Sequence, residues 1–180
     1  MTNLYKEVIT SDWPWPEDIV TYDNGRIPQA LIVSSRRLQN PELLQQGLTS
    51  LEWLLSIQTN VQNNCLSLIG NNGWLKRGGE KANFDQQPVE IPSLIDACAE
   101  AYTTSKDEKW LEKMYFCFQW FMGRNDLNEV LYDSTTGGCY DGLTIKGINL
   151  NQGAESTLSF LMALHRLYNF VMFQSGELRR

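Results

Sequence analysis

The chain has 180 residues and a mass of 20.7 kDa, with 42% apolar, 20% charged and 11% aromatic side chains. The charge sum is 15 − 21 = −6, and this composition suits a packed core rather than a disordered coil. An acidic chain without a basic run lacks the clustered Lys and Arg that phosphate backbones require, which excludes nucleic acid as the main partner.

No apolar stretch reaches the roughly 18 residues of a membrane span, and residues 1–10 hold Lys6 and Glu7 but no apolar signal region. The expectation is a cytoplasmic protein with one domain, 1–180, in which 1–26 is a lead-in segment. Cys65, Cys98, Cys117 and Cys139 form no CxxC pair, so reduced thiols are expected. With a single His, no zinc site is expected. No cofactor motif is found either: Gly70-x-x-Gly73 and Gly78-Gly79 are not followed by the Gly-Lys-Ser/Thr of a phosphate loop.

Helical period predicts a first helix over 27–38, with Pro28 in its first turn. Asn40-Pro41-Glu42 reads as cap and first turn of a second helix, striped by Leu44, Leu48, Leu51 and Leu55 and ending near Thr59. A long loop, 60–89, follows, in which Cys65 to Ile69 reads as a short strand turning at Asn71-Asn72-Gly73. A third helix opens at Ile91-Pro92 and shows Ile91, Ile95, Cys98 and Tyr102 on one face. Ser105-x-x-Glu108 reads as a capping box for a fourth helix that stops at Gly123. A second long loop, 124–153, leads to a fifth helix over 155–174. Its apolar residues run nearly all round, which predicts burial on more than one side.

Segments repeat. Ile27-Pro28 returns as Ile91-Pro92, Leu51-Glu52-Trp53-Leu54-Leu55 is echoed by Phe118-Gln119-Trp120-Phe121-Met122, and Gln87-Pro88-Val89-Glu90 is echoed by Gln152-Gly153-Ala154-Glu155, all at nearly the same offset along the chain. A repeated helical hairpin must bury its face against its neighbours. The expected fold is therefore all-α: two hairpins and one inner helix forming part of a ring, with the long loops at one end.

Glu90 and Glu155 each follow a Gln by three positions and start a helix. On adjacent helices they form either an acid and base at glycosidase spacing or plain helix-start charges. Gln86, Gln87, Asn149, Asn151 and Gln152 offer the paired donors and acceptors that sugar hydroxyls need; loop and cap chemistry is the other reading. Trp13, Trp15, Trp74, Phe84 and Tyr132 lie in loops, as stacking walls for sugar faces or as core. Arg77, Asp85, Asp133 and Asp141 stand beside glycines or aromatics, as ligands or loop-fixing charges. Gly137-Gly138-Cys139 raises a nucleophilic thiol, but His165, the only His, falls in the apolar fifth helix, as a core residue.

Together, Trp13-Pro14-Trp15-Pro16-Glu17, Thr21-Tyr22-Asp23-Asn24, Ile69-Gly70-Asn71 with Gly73-Trp74, Arg77-Gly78-Gly79, Phe84-Asp85-Gln86-Gln87-Pro88 with Glu90, Leu131-Tyr132-Asp133, Thr136-Gly137-Gly138-Cys139 with Asp141-Gly142, and Asn149 with Asn151-Gln152-Gly153-Ala154-Glu155-Ser156 resemble the C-terminal helical region that follows the catalytic domain of some bacterial glycosyltransferases. That region resembles the six-hairpin (α/α)6 toroid superfamily of glycosidases and N-acylglucosamine 2-epimerase relatives. The resemblance spans about residues 11–170. It implies a partial (α/α)6 toroid and a carbohydrate-facing pocket at the inner-helix N-termini. Glu90 and Glu155 would supply any acid/base chemistry. Gln86, Gln87, Asn151 and Gln152 would orient hydroxyls beside Arg77, Asp85, Tyr132 and Asp141, and Trp13, Trp15 and Trp74 would wall the site. Two functions follow: a sugar-modifying module, or a non-catalytic module that binds glycan, docks a glycosyltransferase domain or self-associates.

Overall fold

The computed structural model describes residues 9–175. Among the described residues five helices carry the architecture: α1 (Arg26–Leu38), α2 (Pro41–Ile57), α3 (Glu90–Ser105), α4 (Lys109–Phe118) and α5 (Ala154–Ser175). Their loops hold six short strands: β1 (Ile19–Val20), β2 (Thr59–Asn60), β3 (Cys65–Leu66), β4 (Leu75–Lys76), β5 (Gly142–Thr144) and β6 (Gly147–Asn149). The strands pair as three antiparallel two-stranded sheets, β1 with β4, β2 with β3 and β5 with β6.

The all-α expectation is therefore wrong. Over the described residues the structure is a mix of α and β, 46% helix and 12% strand, and shows no toroid. Such short strands cannot show a period of two, and β1 meets β4 only after the chain has passed through both α1 and α2. Cys65 does begin a strand, and the chain does turn at Asn71-Asn72-Gly73, where Trp74 N donates to Gly70 O at 3.0 Å, but the strand already ends at Leu66 and pairs backward with β2.

The helices lie in two rows. α3 sits between α1 and α5, while α2 packs on α1 and α4 packs on α3. Asn40 caps α2 as expected, its side-chain oxygen accepting from Glu42 N (3.0 Å) and Leu43 N (3.1 Å). The Ser105 capping box does not form. Ser105 Oγ donates back to Ala101 O, and Asp107 Oδ1 accepts from Lys109 N at 3.1 Å. The carboxylate two positions before α4 displaces the hydroxyl because it is the stronger acceptor.

Inward side chains of both rows and of the adjoining loops form the main core around Trp15, Leu54, Ile91, Ile95, Trp110, Trp120 and Phe121, and Leu31 and Leu43 form a small second cluster between α1 and α2. Across the row of first helices, α3 is pinned on both sides by charge. Its Asp96 and Glu100, one turn apart, bind Arg26 (2.8 Å) and Arg36 (2.9 Å) of α1, and both bind Arg166 of α5 (3.2 and 3.0 Å).

α5 departs from expectation. Phe160 and Ala163 are buried against the core, but Leu158, Leu161, Met162, Leu164, Tyr168 and Val171 are exposed, as is His165. Among the described residues α5 is covered by α3, by α4 at Phe118 and by the loop residues Phe121 and Tyr132 around Phe160, while the side carrying Leu158, Leu161, Met162 and Leu164 is exposed. His165 is thus no core residue; its Nε2 meets Asn169 Nδ2 at 2.9 Å on the surface. Among the described residues no helix is long and apolar enough to cross a membrane.

Helix starts at 26, 90 and 154 give spacings of 90 − 26 = 64 and 154 − 90 = 64. The repeat extends into the loops, where the β2–β3 pair Thr59–Leu66 has its counterpart in the Met122–Val130 bridge. In this register Ala154 matches Glu90. Glu155 falls on the Ile91 position, about 100° further round the helix.

Candidate functional site

The loops before α3 and α5 meet at the N-terminal ends of those helices. Residues 70–72 run beside 82–85 through Gly70 N to Ala82 O (2.7 Å), Asn71 N to Asp85 O (2.9 Å) and Asn72 N to Phe84 O (3.3 Å). Gly70 is required here, since a Cβ would overlap the backbone of Phe84. Gln86 then pairs with Leu143 of β5 through backbone bonds of 2.8 and 3.0 Å. Gly142 lets that approach occur: its φ is +134°, and a Cβ would overlap Gln86 O.

These segments enclose a cleft of about 230 Å3 lined by Asn71, Asp85, Gln86, Gln87, Asp141, Gly142, Leu143, Thr144 and Asn149. Asp85, Gln86, Gln87 and Asp141, all expected at the site, gather here with Asn149. Their states differ.

Gln86 lines the cleft through its backbone, while its side chain is fully buried and saturated. Its Oε1 accepts from Leu68 N (3.2 Å) and Trp120 Nε1 (3.0 Å), and its Nε2 donates to Asn83 O (2.9 Å) and Asp126 Oδ2 (2.6 Å). It is an internal strut and has no valence left for a sugar. Asp141 is similarly committed. It accepts from Gly153 N (2.8 Å) and Ser156 Oγ (2.7 Å), and also from Asn151 Nδ2, fixing the start of α5. Partial burial works against its charged form, but these donors outweigh it and hold the carboxyl below its ordinary range. Asn71, Asp85 and Gln87 are different: among the described residues none of their side chains makes a hydrogen bond, and all three are partly exposed.

Asn151 and Gln152 serve the loop. Gln152 donates to Asp133 Oδ2 (3.0 Å) and accepts from Thr136 Oγ1 (2.7 Å). Asp133 is held well below the ordinary carboxylate range, chiefly by the Thr135 hydroxyl and N–H. Tyr132 stacks on Phe160 at 4.6 Å between ring centroids.

The tryptophan wall is not at the cleft. Trp13 and Trp15 are buried, and both rings meet Trp53 (4.9 and 5.9 Å) in the core. Trp74 packs on the core at half-burial. Arg77 lies away, donating to Thr10 Oγ1 at 2.8 Å beside Asp18.

Glu90 and Glu155 are joined through one segment. Tyr22 donates its hydroxyl to Glu155 (3.2 Å), and the next residue, Asp23, donates its N–H to Glu90 (2.6 Å). Glu155 is exposed. Glu90 is 3% exposed and takes two further bonds from Asn24 N (3.1 Å) and Nδ2 (3.0 Å). Burial pushes its carboxyl up to about 7 against the pull of those donors. Neither glutamate lines the cleft.

Cys139 is buried, and burial pushes its thiol up to about 12, which removes the thiolate a nucleophile needs. The other three cysteines are likewise buried and unpaired. No group of His, Cys, Asp and Glu able to hold a metal ion occurs among the described residues.

Asn71 and Thr144 line the cleft without having been singled out as ligands; within Gly70-Asn71-Asn72-Gly73, Asn71 carries only a turn signal. No protein-family model and no curated protein matches this sequence.

Proposed function

We propose that this chain is a carbohydrate-associated module, of the kind found beside glycosyltransferase catalytic domains, that binds glycan in the Asn71–Asp85–Gln87 cleft without hydrolysing it. The observation that carries the reading is the set of three uncommitted side chains on a preformed polar wall. A sugar hydroxyl both donates and accepts. Asp85 accepts, and the two amides do both. The buried amides Gln86 and Asn125 in the same loops are saturated, whereas those at the cleft are free. The motif resemblance supports the same ligand class.

Turnover is disfavoured by Glu90. Both its oxygens are occupied by the Asp23–Asn24 segment and it lies off the cleft, so it cannot reach a glycosidic oxygen. Glu155 alone lacks a partner carboxylate at the cleft.

Titration calorimetry with oligosaccharides tests this. Asn71→Ala and Gln87→Ala are each expected to weaken binding about tenfold, since each leaves a bound hydroxyl unpaired. Product formation by the wild type that disappears in Glu155→Gln would overturn the non-catalytic reading. Retained affinity in both amide variants would move the site elsewhere.

A further inference from the structure

The cleft has a charge signature as well as a hydrogen-bonding one. Asp85 and Asp141 both line it, and neither Lys nor Arg does. Asp141 is kept ionised by its three donors. Helix N-termini would ordinarily favour an anion nearby. At α5 that positive end is already answered, because Asp141 takes Gly153 N and Ser156 Oγ. Asp85 has no counter-charge among the cleft residues. A third carboxylate, brought in by a ligand, meets these two like charges in partly desolvated surroundings, where repulsion between neighbouring unit charges exceeds the tenfold level in affinity.

We infer that the cleft admits uncharged and cationic sugar rings and rejects anionic ones, with Asp85 as the residue that sets this selectivity. The inference rests on the carbohydrate reading above and adds the ligand's charge class. Uronic acids and sugar phosphates are excluded. An amino sugar, with its ammonium facing Asp85, binds at least as well as the neutral parent ring.

The test uses the full chain and matched probes of the glucose and galactose series, each as neutral sugar, amine and uronate, with affinities measured at low and high salt. In the wild type the uronate is expected to bind at least about tenfold more weakly than the neutral sugar at low salt. Raising salt to about 1 M, where screening reaches about 3 Å, should shrink that ratio severalfold. Asp85→Asn should bring the uronate-to-neutral ratio to within about threefold, whatever happens to absolute affinity. Asp85 makes no internal side-chain bond among the described residues, so the variant should fold; the salt series on wild type needs no variant at all. Equal binding of neutral and uronate probes by the wild type overturns the inference while leaving the carbohydrate reading standing. A ratio unmoved by salt or by Asp85→Asn also overturns it. Binding of no probe in either series removes the carbohydrate reading, and this inference with it.

Discussion

Single side chains in this protein divide by whether their valences are spent. Gln86 spends all four on Leu68, Trp120, Asn83 and Asp126, and Asp126 passes the chain on to Asn60 (3.0 Å). Gln86→Leu fills similar volume but orphans these partners in a dry site. It should cost at least about 3 kcal/mol in urea unfolding, since each unpaired buried group carries a penalty of about 1–3 kcal/mol. Asn40→Ala should cost about 1 kcal/mol, because it strips the cap from α2 at a partly solvated helix end. A sequence reader sees the same amide types in Gln86 and Gln87. Gln86 is buried and Gln87 partly exposed, and only the packing of Trp120 and Leu68 around the first separates the strut from the free amide.

At the scale of elements, α5 carries the clearest contrast. Phe160 packs against Phe121 (5.2 Å) and Phe118 (5.9 Å) and stacks with Tyr132, so Phe160→Ala should destabilise by about 3–5 kcal/mol. Its neighbour Leu161 is 47% exposed, and Leu161→Ala should change stability by no more than about 0.5 kcal/mol. Thermal melts of the pair would check both values; similar losses at the two positions would mean that α5 is covered on its outer side too. Periodicity placed all five helices because each has an apolar stripe and most have a start signal. It misjudged the sides of α5, since an apolar residue records the capacity for burial and not whether a neighbour is present. It also missed most of the small sheets, whose strands are set by distant partners.

For the molecule as a whole, pH acts through Glu90. Its carboxyl sits near 7 when folded, against an ordinary value of 4.5. The folded state therefore holds its proton more tightly, and stability should fall as pH rises from about 4.5 to 7, by roughly 3 kcal/mol at most. Asp133 and Asp141 are held low, so their contributions are already complete in this window and are lost only at lower pH. Urea midpoints at about pH 5 and about pH 8 should show the decline, and Glu90→Gln should flatten it. A flat wild-type profile would mean that water reaches Glu90 in solution.

What the sequence determined alone was local: the helices, the Asn40 cap, the recurring helical hairpin and the loops in which polar residues concentrate. Each is written within a short stretch of chain, where neighbouring residues and backbone geometry decide the outcome. Tertiary structure decided which of those residues is free. Trp13 and Trp15 became core, Glu90 a buried clamp and Gln86 a strut, while Asn71, Asp85 and Gln87 were left open around one cleft. The physical reason is that a side chain's availability depends on partners brought from other elements, such as Asn24 to Glu90 and Trp120 to Gln86, and spacing along a single chain carries no record of them.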